Sequence, residues 1–135
     1  PPYPAAYEGL AVSYIKKGMK ADAMAAAEKA AELSKRSGVV LGSVGYVFAA
    51  AGDEAKAIAI AKELEDKYPR REASGFDIAS VYAGLGDRDK AFDWLEKDFR
   101  TRNGKLQAIR WEVEFEPLRD DPRFKELLKR MNLPE

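Results

Sequence analysis

The sequence predicts an all-α chain, an α-solenoid of three helix-turn-helix repeats with a C-terminal capping helix. The first observation is a fixed interval. Gly18, Gly52 and Gly86 are 34 apart (52 − 18 = 86 − 52 = 34), and so are Ala23, Ala57 and Ala91. Tyr14, Phe48 and Tyr82 keep the same phase, as do Ala11, Gly45 and Ala79, and Leu10, Val44 and Ile78. Self-similarity at such a period marks stacked repeats. The second observation is physical agreement between the columns. The glycines fall where a first helix ends, at a position that needs positive φ. The small residues at 11, 45 and 79 face those at 23, 57 and 91 and let paired helices approach closely. The larger columns fill the space on either side, and each pair leaves an apolar face for the next repeat to cover.

The elements follow in order. Pro1 to Pro4 favour extended backbone and are unsuited to starting a helix. Helix A1 is predicted over about 5–17, with Leu10, Ala11, Tyr14 and Ile15 on its apolar face. Alanine-rich helix B1 runs over about 21–35, with Ala23, Met24, Ala27, Ala30 and Leu33 as its stripe. Helix A2 spans about 40–51. Helix B2 spans about 53–68, capped by Asp53 and lined by Ala57, Ile58, Ala61 and Leu64. Pro69 ends that repeat. Ser74 and Asp77 form a capping box for helix A3, which runs to Leu85. Helix B3 runs over about 88–101, with Ala91, Phe92, Leu95 and Phe99 inward. The repeats are thus about 5–37, 38–70 and 71–104 of a single domain, and 105–135 is the cap.

The cap departs from the repeat. Trp111–Glu116 alternates apolar and acidic residues, a strand pattern with no strand to pair with, so a short helix or extended packing segment is expected. Its glutamates are expected to face solvent. Asp121-Pro122 starts a last helix to about Met131, and Phe115, Leu118, Phe124, Leu127 and Leu128 are expected to bury against B3.

Composition narrows the function. Lys+Arg and Asp+Glu are both 23, and a balanced charge argues against nucleic acid as the main partner. The chain has no His and no Cys, which removes imidazole bases, thiolate nucleophiles, disulfides and the usual zinc sites. No apolar run approaches the roughly 20 residues needed to span a bilayer. The sequence opens Pro-Pro-Tyr-Pro without Met, which reads as a linker end of a longer protein.

The repeats resemble tetratricopeptide repeats over about 5–103. The consensus Leu-Gly-x-x-Tyr corresponds to Leu10-Ala11 with Tyr14, Val44-Gly45 with Phe48, and Ile78-Ala79 with Tyr82. The consensus Ala is Ala23, Ala57 and Ala91, and the Phe four residues on is replaced by Ala27, Ala61 and Leu95. The consensus Pro survives only as Pro69. The leading Trp is replaced by Tyr7, Leu41 and Gly75, the last of which weakens the start of A3. The ending, from Phe76-Asp77-Ile78-Ala79 to Arg119-Asp120-Asp121-Pro122-Arg123-Phe124, is similar to the C-terminal repeat region of multidomain bacterial regulators, which implies a cytoplasmic sensory or scaffolding role.

The resemblance also implies where a partner would dock, on a concave face lined by the A helices. The positions carried over are Val12, Ile15, Lys16, Tyr46, Ala49, Ala50, Phe76, Ser80 and Ala83, with Glu8 and Gly84 beside them. Some members clamp a peptide carboxylate with Lys, Asn and Arg. Here Glu8 and Val12 occupy two of those places and only Lys16 suits the role, so the groove is apolar, with Tyr46 and Phe76 as candidate anchors. Equally, Tyr46 and Phe76 could pack between repeats. Asp87 and Asp89 suit a helix start better than catalysis. Arg70-Arg71 and Lys129-Arg130 read as solvated helix ends, and Trp94 and Trp111 as core and cap contacts. The expected function is a protein-interaction module that binds a peptide or partner segment. The alternative is a self-association module forming a homodimer. An enzyme is disfavoured, and no cofactor, metal or membrane partner is expected.

Overall fold

The computed structural model describes residues 3–132. Helices α1 (Pro4–Lys16) and α2 (Lys20–Leu33) form the first hairpin, α3 (Gly38–Ala50) and α4 (Glu54–Lys67) the second, and α5 (Gly75–Leu85) and α6 (Arg88–Arg100) the third. The first helices α1, α3 and α5 pack side by side, and each of α2 and α4 also packs on the first helix of the following hairpin. This is the predicted all-α repeat array. Pro4, expected to precede the helix, stands at its first turn, where its missing N–H costs nothing.

The glycine column works as predicted. Gly18, Gly52 and Gly86 have φ of 75°, 94° and 80°. Each glycine N–H donates three residues back. The next residue donates five back, Met19 to Tyr14 (2.9 Å), Asp53 to Phe48 (2.9 Å) and Asp87 to Tyr82 (3.0 Å). These paired bonds close the exposed carbonyls at the end of each A helix. The second helices end without glycine. Arg36 and Arg102 take φ of 59° and 56° instead, at a cost of roughly 1 kcal/mol each.

Helices α3 and α5 approach closely at two glycines. A Cβ at Gly42 would lie 3.1 Å from Asp77 Cα, and one at Gly45 only 2.5 Å from a Val81 methyl. Val44, Val47 and Ile78 fill the core beside this contact, each at most 1% exposed.

Three apolar assignments are corrected. Leu10 is 45% exposed, although Val44 and Ile78 in the same column are buried, because α1 has no preceding hairpin against it among the described residues. On α4 the inward residue is Ile60, and Ile58 points out at 43% exposure, since the stripe of Ala57, Ala61 and Leu64 advances by three and four. Trp111 is 61% exposed and is neither core nor cap contact.

The C-terminal region keeps the spacing it had been expected to lose. Helix α7 (Pro122–Arg130) begins 34 residues after α6, as α6 does after α4 (122 − 88 = 88 − 54 = 34). Asp53, Asp87 and Asp121 each cap their helix through the side chain, accepting from the N–H of Lys56 (3.1 Å), Lys90 (3.1 Å) and Arg123 (2.9 Å). Arg123 reaches Asp89 at 2.8 Å and Arg130 pairs with Glu96, both 34 apart, so α7 lies in register along α6. The guanidinium groups also sit over the Phe92 and Phe99 rings at 4.6 and 4.9 Å. The place of a fourth first helix is taken by two 3-10 stretches, Gly104–Arg110 and Val113–Leu118. The second carries Pro117, which has no N–H to donate, and it packs on α5, not on α6 as expected.

Candidate functional site

The candidate site is the face formed by α1, α3 and α5. Of the residues named from the sequence, Tyr46, Phe76, Ser80 and Ala83 are buried, each at most 8% exposed. Val12, Ile15, Ala49 and Ala50 are half-buried and Lys16 is exposed. The division follows from the C-terminal segment. The Phe115 ring, wholly buried, meets the Phe76 ring edge-on at 4.9 Å between centroids. Such a pair contributes about 0.5–1.5 kcal/mol beyond its buried area. The Ser80 hydroxyl turns inward and donates to its own helix, at the Phe76 carbonyl (3.0 Å). Tyr46 is therefore no half-open groove residue. Its hydroxyl pKa is pushed up by burial first and then by the Glu114 and Glu116 carboxylates.

Glu114, expected in solvent, is 6% exposed. The Ser43 hydroxyl, on α3, lies 2.8 Å from Glu8 Oε1 and 3.3 Å from Glu114 Oε1, so one short side chain links α1, α3 and the segment. Burial raises the Glu114 pKa, and the neighbouring Glu112 raises it further. Glu8, Asp77, Glu112 and Glu114 with Ser43 and Ser80 line a cavity of about 100 Å³. Among the described residues no acidic cluster is disposed to hold a metal ion.

The start of α5 shows what the sequence reading missed. Asp98, on α6, is 1% exposed. Its Oδ1 accepts from the Gly75 N–H (2.9 Å) and its Oδ2 from the Phe76 N–H (2.6 Å). A Cβ on Gly75 would stand 2.4 Å from the Trp94 carbonyl and 2.7 Å from Asp98 Oδ1. Glycine at the consensus Trp position thus strengthens the helix start, against expectation, by admitting a carboxylate to two first-turn N–H groups. The Ser74–Asp77 capping box is present as predicted and satisfies further groups. The signal available was Asp98 itself, an acid at helical spacing from Ala91 and Leu95 on the inward side.

Larger hollows lie elsewhere. One of about 580 Å³ separates α2 from α4 over Val44, Phe48 and Ile60, and is crossed by the Lys56–Glu28 and Arg36–Glu63 ion pairs, both at 2.6 Å. Another, of about 760 Å³, lies at the α4–α5 connection beside Asp98 and Asn103. No described helix is long and apolar enough to cross a membrane.

Residues 4–37 match the family model of the tetratricopeptide repeat. That stretch is the α1–α2 hairpin. The chain therefore carries a tetratricopeptide repeat, and its array of hairpins is the fold such repeats build. No curated protein and no solved structure matches the chain. Tetratricopeptide repeats are non-catalytic and generally mediate protein–protein interaction.

Proposed function

We propose that this domain docks a segment of a partner protein on the part of the A-helix face that its own chain leaves open. The partner would lie between α1 and α3 on Val12, Ile15, Ala49 and Ala50, with Lys16 at the rim. The observation that carries this reading is the 113–118 segment. It is a short, non-α stretch with an aromatic anchor, seated on the same face. A partner segment of the same kind would continue along the groove, with Tyr46, Phe76, Ser80 and Ala83 forming the floor where the chain's own segment stands. The setting fits a scaffold within a cytoplasmic bacterial regulator.

The contacts offered are apolar, so affinity should depend weakly on salt. A peptide library panned against the domain should select apolar or aromatic anchors, not a free C-terminal carboxylate. Ile15→Ala should weaken the selected peptide by about 1–2 kcal/mol without unfolding the array, because Ile15 is only half-buried. Binding that collapses in modest salt would contradict the reading.

Self-association is the second reading, favoured by the exposed edge of α1. Leu10 stands where Val44 and Ile78 are buried by a preceding helix, and Tyr3, at the N-cap of α1, is 64% exposed. A second copy could supply the missing cover. Sedimentation should then show a concentration-dependent dimer that Leu10→Lys abolishes. A monomer at all concentrations rejects it.

A further inference from the structure

We infer that the cleft between α4 and α6 is a second docking surface, which takes an acidic helix of a partner protein with carboxylates seven residues apart. The preceding gap in the same chain shows what this one lacks. Between α2 and α4, Lys56 lies over the Phe48 ring at 5.3 Å and pairs with Glu28, and Arg36 pairs with Glu63. One repeat later Lys90 lies over the Tyr82 ring at 5.2 Å, in the places of Lys56 and Phe48. Lys62 then stands in the column of Glu28, Lys97 in that of Glu63 and Arg70 in that of Arg36 (62 − 28 = 97 − 63 = 70 − 36 = 34). The columns that bridge the first gap with opposite charges thus carry like charges in the second. Among the described residues no ion pair joins α4 to α6, and Lys62, Lys90, Lys97 and Arg100 form none at all.

A cleft of about 300 Å³ opens there over Tyr82 and Trp94, with Lys90, Lys97 and Arg100 along its α6 side. Its acids are Asp93 and Glu65, and Glu65 accepts from the Tyr82 hydroxyl. The cations are held on aromatic rings. Lys97 Nζ is 3.9 Å from the centre of the Trp94 ring, which Tyr68 braces edge-on at 5.0 Å. Lys90 and Lys97 are two turns apart, about 10 Å along the helix, so one small anion cannot reach both. Asp93, between them in sequence, opposes a continuous polyanion. Two separate carboxylates on one side of a helix meet both lysines. The contact of α6 with α7 has this form with the signs reversed: Arg123 and Arg130, seven apart, meet Asp89 and Glu96, seven apart. The surface belongs to the second helices and does not rest on the A-helix groove.

The test uses two alanine-based helical peptides of equal composition, one with two glutamates seven residues apart and one with them nine apart, on opposite faces. Each is titrated into the full chain at low ionic strength and followed by amide shifts and the Trp94 indole N–H. The seven-spaced peptide should bind about five- to tenfold more tightly, shift Lys90, Trp94 and Lys97, and weaken as salt is raised. Lys62→Glu restores the acid that the first gap has. It should satisfy Lys90 from within the chain and reduce the affinity about fivefold, and Lys97→Gln should do the same. Both positions are exposed, so the fold is kept. Ile15→Ala should leave this binding unchanged, which separates it from docking on the A helices. Equal affinity for the two peptides overturns the proposal, as does indifference to Lys62→Glu and Lys97→Gln, or no binding at low ionic strength. Displacement of the peptide by inorganic phosphate or single-stranded DNA at equal charge concentration would show an unspecific anion patch and overturn it too.

Discussion

Asp98→Ala should destabilise the fold by about 3 kcal/mol or more, among the largest losses available to a single polar substitution here. The carboxylate is 1% exposed and accepts from the Gly75 and Phe76 N–H groups. Alanine strands two buried donors, each at roughly 1–3 kcal/mol, and leaves a void at the α5–α6 junction. Asp98→Asn keeps one acceptor oxygen and should recover part of the loss. Gly75→Ala tests the same junction from the other side. Its methyl group would meet the Trp94 carbonyl at 2.4 Å, so overpacking should cost about 1–3 kcal/mol or more. Urea unfolding of the three variants checks all of this. A loss under 1 kcal/mol for Asp98→Ala would mean that α5 does not depend on this cap.

Phe115→Ala should cost about 3–5 kcal/mol, the range for deleting a fully buried aromatic side chain. The effect should be partly local. Removing the ring frees the segment from α5, exposes Phe76 and promotes association, while the α1–α4 hairpins keep their packing. Unfolding should become broader, with exchange protection falling first in 113–118 and α5. A variant of unchanged stability would show that the segment is not part of the core.

The array was legible because its determinants are local and repeated. Positive φ after each A helix selects glycine, and interhelical contact selects alanine, so Gly86 and Ala91 announce their roles without a structure. The cap was legible as a helix, through Asp121-Pro122, but its register was hidden. Outside the capping aspartate the side-chain columns are lost while the spacing persists. Glu114 could not be placed by alternation, because the segment is a 3-10 turn with three residues per turn. There Phe115 and Leu118 share the buried face, and alternation no longer sorts inside from outside. Asp98 and Gly75 serve each other across 23 residues, a non-local pairing that period and propensity do not record. Of the nine candidate residues, Val12 and Ile15 needed only the helical face. The burial of Tyr46 and Phe76 depended on where the last thirty residues lie.

The direct test of the interaction reading is to map a selected peptide onto the domain by backbone and methyl chemical shifts. Shifts should concentrate on Val12, Ile15, Ala49 and Ala50, with smaller ones at Tyr46 and Phe76 where the C-terminal segment adjoins the groove. Shifts confined to Phe48, Ala59 and Ile60, in the hollow between α2 and α4, would place the partner on the opposite face and contradict it.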